Sequence, residues 1–257
     1  MVSLFKLIKV GDHGEVPGAE VYWMRDFDKW YRLSFYSVLL KTEDGYVLVN
    51  TGLPDDLSLR NSFLKEWAGS DRCKFSFKEE EKIENALSRL NLTPDEISHV
   101  IITPVQDYTI GRLHLFKKAN IYFSRTGWYN DVVNPSPSPF LNRDVYLPKN
   151  IRQYLFEEAW NRIKLVENEE VVKGVEVKWS GCHHRSSMLV KFQYQNKRFC
   201  ISDSAFLMGN YEKNIPIGIA EDIYECLDAY SYMRRECDVV IPAYDPENTI
   251  RFREYLV

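Results

Sequence analysis

The chain has 257 residues, 45% hydrophobic and 27% charged, with a formal net charge of −4. That length suits one large α/β domain or two small ones, and the balance is that of a globular protein. Acidic charge gives no general attraction to nucleic acid or to an anionic membrane surface, and no apolar run has the length of a membrane span.

The first ten residues alternate apolar and polar positions and read as an edge strand, without the apolar core of a signal peptide. A Gly/Pro-containing turn over 12–18 and a second strand over 19–24 are expected next. Residues 36–52 form the strongest hairpin pattern in the chain. Asp44-Gly45 supplies the tight turn between β-branched and aromatic runs, and Gly52 and Pro54 end the second strand. Residues 55–77 read as polar and irregular, with a short helix around 60–67. Ile83, Ala86, Leu87 and Leu90 recur at helical spacing, and Thr93 with Glu96 makes a capping box. Beyond the centre of the chain, strands are predicted at 121–124, 171–179, 187–194, 199–202 and 238–242. Helices are predicted at 150–163 and 221–236, the second with Ile223, Leu227, Tyr230 and Met233 on one face. The proline-rich run 134–139 reads as a surface connector or a lid. Strands followed by helices in each half suit sheets covered by helices.

Five cysteines, Cys73, Cys182, Cys200, Cys226 and Cys237, include no C-x-x-C pair. An odd number in a chain of this length predicts reduced thiols in a cytoplasmic protein rather than a disulfide framework.

The stretch 98–116 organises the chain. Val100-Ile101-Ile102 is a continuous apolar run, hence a strand buried on both faces. It breaks into the polar loop Thr103-Pro104-Val105-Gln106-Asp107-Tyr108-Thr109 and restarts at Gly111. Around it, Val47-Leu48-Val49-Asn50-Thr51-Gly52, Gly181-Cys182-His183-His184, Ile201-Ser202-Asp203-Ser204-Ala205 and Ile241-Pro242-Ala243-Tyr244-Asp245-Pro246 follow in order. In order and spacing these segments resemble the motifs of the metallo-β-lactamase superfamily. The loop is similar to that family's T-H-x-H-x-D-H-x-G-G pattern. Leu113-His114-Leu115-Phe116 and Ser186-Ser187-Met188 resemble the N-acyl homoserine lactonase branch. The resemblance implies an α/β fold of four αββα layers, a single domain over 1–257.

It also implies what is missing. The family's loop ligands correspond to Pro104, Gln106, Tyr108 and Thr109, and its last histidine to Tyr244; only His183 and Asp203 keep ligand chemistry. A zinc site needs three or four good donors, so no metal and no other cofactor is expected. Asn50 stands where the family has an aspartate behind its imidazoles, and an amide suffices once they are gone. Phe206 stands where the lactonase branch commonly carries a tyrosine beside the substrate.

Two classes of function follow. One is a metal-free pseudo-hydrolase, a binding or scaffolding subunit that pairs with itself or with an intact relative. The other is a hydrolase of a small ester, lactone or amide working in the remodelled cavity. There His183 and Asp203 would be a general-base pair, Tyr108 or Tyr244 an acid or oxyanion donor, and Gln106, Thr109 and Phe206 would contact substrate. A sensor that binds a small molecule shares the same cavity. Neither nucleic acid nor membrane is an expected partner.

Overall fold

The computed structural model describes residues 1–135 and 142–257. Twelve strands among them form two sheets. The first has seven: β1 (Leu4–Pro17), β2 (Trp30–Thr42), β3 (Gly45–Val49), β4 (Cys73–Ser76), β5 (Ile97–Ile101), β6 (Asn120–Ser124) and β7 (Ile163–Val166), in the order β4-β1-β2-β3-β5-β6-β7. The second has five: β8 (Asn168–Val172), β9 (Val175–Trp179), β10 (Met188–Tyr194), β11 (Lys197–Ser202) and β12 (Val239–Pro242), in the order β12-β11-β10-β9-β8.

Side-chain alternation assigns the faces. Val38 and Leu40 of β2, Val47 and Val49 of β3 and Ile101 of β5 point between the sheets. There they meet Val175, Val177, Val190, Phe192, Phe199 and Ile241 of the second sheet. Leu39, Leu48 and Val100, one residue out of phase, point outward into a second core. Helices cover that side through Leu64, Ile83, Ala86, Leu87, Ile151 and Leu155. The helix Ile223–Glu236 covers the other sheet, burying Cys226, Ala229, Tyr230 and Met233, with Asp222 capping its first turn. The arrangement is the four-layer αββα sandwich that the motif order implied. Strands β3, β5, β6 and β7 run parallel, as do β11 and β12, so their connections emerge along one rim.

Three local expectations need correction. No turn separates two strands over residues 1–25: β1 runs unbroken from Leu4 to Pro17, and residues 18–21 form a helical turn. Gly14, read as part of that turn, sits instead with Gly11 at two bulges of β1, where Gly11 (φ 147°) and Gly14 (φ 75°) absorb the register shifts against β2. The stretch 55–77 is more ordered than its polarity suggests, holding the helix Ser58–Ala68 and strand β4. The cysteines are not all free: Cys182 pairs with Cys226 and Cys200 with Cys237, across Cα distances of 5.0 and 5.9 Å, leaving Cys73. Spacing along the chain could not reveal either pair, because packing of one helix on the second sheet creates both. The proline-rich loop lies mostly outside the described residues. No helix among the described residues is long and apolar enough to cross a membrane.

Candidate functional site

The loop 103–109 leaves the end of β5 beside the end of β3, and Asn50 joins the two. Its Nδ2 donates to the Thr103 carbonyl and its Oδ1 accepts from the Thr103 backbone N–H, both at 2.9 Å. An amide makes both bonds; a carboxylate could make only one. The loop is also tied to the second sheet. Thr103 Oγ1 bonds the backbone of Met188, and Val105 N donates to Ser186 Oγ at 2.9 Å. Thr109 Oγ1 lies 2.5 Å from the Pro104 carbonyl and 2.7 Å from that of Gln106, so its polar capacity is spent within the loop.

His183 and Asp203 do come together. Nδ1 of His183 lies 3.1 Å from Asp203 Oδ2, which also accepts from Ser187 Oγ at 2.6 Å. Both residues are buried, and Asp203 Oδ1 has no hydrogen-bond partner among the described residues. His183 is placed by a turn in which Gly181 and Cys182 both have positive φ. The helix Ile223–Glu236 holds that turn twice, through the Cys182–Cys226 disulfide and through Glu225, whose Oε2 accepts from Cys182 N at 2.7 Å. Cys182 sulfur is thus bonded and is no candidate nucleophile.

Aromatic rings fill the place where the resemblance would put metal ligands. Tyr108 stacks on Phe35 with centroids 4.7 Å apart, and Tyr244 stands perpendicular to Tyr108. Their hydroxyls are 3.4 Å apart. Phe206 packs edge-on to His183 at 4.8 Å and against Tyr244 at 5.0 Å. Burial pushes both phenols above their usual range, so each is a neutral hydroxyl. Between these rings, Asn50, Thr103, Thr109 and Asp203 remains a void of about 10 Å³, room for one water.

Next to this plug lies a cavity of about 550 Å³, within the range of small-molecule sites. Gln106, Tyr108, His183, Phe206 and Tyr244 all line it; Thr109 and Asp203 line only the small void. The opposite wall is the helix Ser58–Ala68, which contributes Arg60, Phe63, Leu64 and Trp67. Arg60 is 6% exposed. Its Nε donates to Asp107 Oδ2 at 3.0 Å, and its Nη2 to Asp107 Oδ1 at 2.5 Å and Gln106 Oε1 at 2.9 Å. Burial raises the Asp107 carboxyl pKa while the guanidinium draws it back. His13 and His184 also line the cavity, and burial pushes both imidazoles down, His13 to about 3.

Sequence reasoning missed Arg60 and His13. A signal for Arg60 was present: Arg60, Phe63, Leu64 and Trp67 share one helical face by their i, i+3, i+4, i+7 spacing, so a cation sits in an apolar stripe.

A metal does not fit these residues. Proline has no donor, the Thr109 hydroxyl and Gln106 Oε1 are committed, two neutral phenols occupy further positions, and His183 and Asp203 bond each other. Among the described residues no group of three or more His, Cys, Asp or Glu could hold an ion.

The four-layer sandwich and the rim site together define the class: this chain has the metallo-β-lactamase fold. Within that fold it is lactonase-like. It is 23% identical to an N-acyl homoserine lactonase of Bacillus thuringiensis over 191 residues, 73% of this chain and 70% of the relative. A second N-acyl homoserine lactonase, from a Bacillus species, is 21% identical over 189 residues, 72% of this chain and 69% of the relative. A solved N-acyl homoserine lactone hydrolase, with product N-hexanoyl-L-homoserine bound at its catalytic metal center, superposes with a TM-score of 0.80 at 19% identity, covering 98% of this chain and 96% of its own. A probable metal-dependent hydrolase from Staphylococcus aureus gives 0.70 at 13% identity, covering 94% and 88%. No family model matches the chain.

Proposed function

We propose that this chain is a catalytically silent, metal-independent relative of the lactonases that binds a small molecule in the rim cavity. One observation carries the reading: the donors are exchanged for a packed aromatic plug, while the adjoining cavity of about 550 Å³ is kept. Had the site simply decayed, nothing would have kept that space open against collapse of its apolar walls. Self-association, or pairing with an intact relative, belongs to the same proposal. The test combines elemental analysis with a turnover assay on N-hexanoyl homoserine lactone and a thermal-shift screen of apolar ligands. The reading expects less than a tenth of an equivalent of zinc, iron or manganese, no turnover, and ligands that raise Tm. One equivalent of metal that is lost in His183→Ala would overturn it.

A second reading has its own support, the contact between His183 and Asp203. With Nδ1 held by Asp203, Nε2 is the nitrogen without a partner among the described residues, and the imidazole lines the cavity. There it would take a proton from a water attacking an ester carbonyl, with a Tyr108 or Tyr244 hydroxyl donating to the oxyanion. Proton transfer of this kind contributes roughly 10²–10⁴-fold. Ester or lactone turnover that persists in chelator and disappears in His183→Ala is the expected signature; an inert panel retires the reading.

A further inference from the structure

The cavity's own chemistry narrows its occupant. Of the five N–H groups of Arg60, the three on Nε and Nη2 are bonded to Asp107 and Gln106. The two on Nη1 have no partner among the described residues, although the side chain is buried and lines the cavity. Nη1 is not one of the fully buried unbonded atoms, so this edge opens into the cavity, where the acceptor of a ligand can take the place of water. The acceptor need not be an anion. Asp107 already balances the guanidinium. Glu20 and Asp131 line the same cavity, bonded to Trp67 Nε1 and Ser186 N but paired with no cation among the described residues, so a ligand carboxylate would meet further carboxyl groups. A ligand cation would meet Arg60.

The walls specify the rest. Phe63 and Trp67 stack on the helix side at 5.9 Å, Phe75 stands edge-on to Phe35 at 4.8 Å, and Phe206 and Tyr244 face them from the second sheet's loops. Rings presented from several walls reward a flat π-surface through offset and edge contacts beyond what a linear chain of equal area would gain.

Resting on the small-molecule reading above, we propose that the cavity takes an uncharged, flat aromatic carbonyl compound, an aryl ketone or quinone, with its carbonyl oxygen on Arg60 Nη1. The test is isothermal titration of the intact chain with five probes: 2-acetylnaphthalene, 2-ethylnaphthalene, 2-naphthoate, 2-(aminomethyl)naphthalene and decanamide. The proposal expects 2-acetylnaphthalene to bind tightest, about ten- to a hundred-fold tighter than 2-ethylnaphthalene, as for a hydrogen bond to a charged donor. Arg60→Gln should erase that ratio, so that ketone and hydrocarbon bind alike in the variant. If the variant does not fold, the ratio in the unmodified chain decides alone. Equal binding of the ketone and the hydrocarbon overturns the role of Arg60. Tightest binding of the naphthoate or the amine overturns neutrality, and tightest binding of decanamide overturns the flat-ring requirement; in each case the small-molecule reading survives. If none of the five binds, this proposal falls, and the thermal-shift screen decides the small-molecule reading separately.

Discussion

Replacing Arg60 with methionine isolates the contribution of the buried pair. The guanidinium and the Asp107 carboxylate are 7% and 2% exposed at their side chains and share two hydrogen bonds. Methionine keeps the apolar stem but strands a carboxylate that burial already disfavours. Removing one partner of such a pair costs about 3–5 kcal/mol, because the surviving charge stays out of water. At roughly 2–4 °C per kcal/mol for a chain near this size, Tm should fall by about 6–20 °C. Much of that loss is a penalty on the orphan, so Arg60→Met with Asp107→Leu should recover most of it. Urea unfolding of the unmodified chain, both single variants and the double variant closes the cycle. A single-variant loss below about 1 kcal/mol, or a double variant no better than the singles, would refute the argument that this pair anchors the loop.

Protonation of His13 gives a pH signature. Its imidazole is pushed down to about 3 by burial, so it is neutral when folded and charged when unfolded below its ordinary value of 6.5. Its contribution to stability is complete above pH 6.5 and is lost as pH falls toward 3, at up to about 1.4 kcal/mol per pH unit. Comparing His13→Phe with the unmodified chain by urea unfolding from pH 7 to 3.5 should show a shallower decline in the variant; parallel curves would exclude the effect. Thiol titration of the denatured, unreduced protein should find one free cysteine, Cys73, and five would place the chain in a reducing compartment with both disulfides open. Opening either bridge costs about 4 kcal/mol in the chain-entropy view. Asn50→Asp removes the donor to the Thr103 carbonyl and should lower stability by about 1–3 kcal/mol in thermal melts, whereas an unchanged Tm would mean the two-way bond is dispensable.

Motif order carried the fold because each strand that frames the rim kept its apolar phase. Val47-Leu48-Val49 and Val100-Ile101 alternate between two cores, and such runs leave little choice of partner. Asn50 was read only as an amide that suffices once the imidazoles are gone; its two-way bond to Thr103, made across 53 residues, was not. The contact between His183 and Asp203 was foreseeable from the fold. Arg60 was not read, because its role depends on a helix crossing to a loop 46 residues away. The disulfides escaped for the same reason: both are made by packing rather than by spacing. Gly14 misled in the opposite sense, because a glycine serves a turn and a bulge alike and only the partner strand tells them apart.

The bond between Arg60 and Gln106 has a bearing on ancestry. Gln106 occupies a position that the resemblance assigns to a metal-bound imidazole, and a fixed positive charge now grips its side-chain oxygen at 2.9 Å. Restoring a histidine at this position alone would break the bond to Arg60 without completing a set of metal ligands. A reversion at Gln106 by itself therefore loses a contact before it gains an ion.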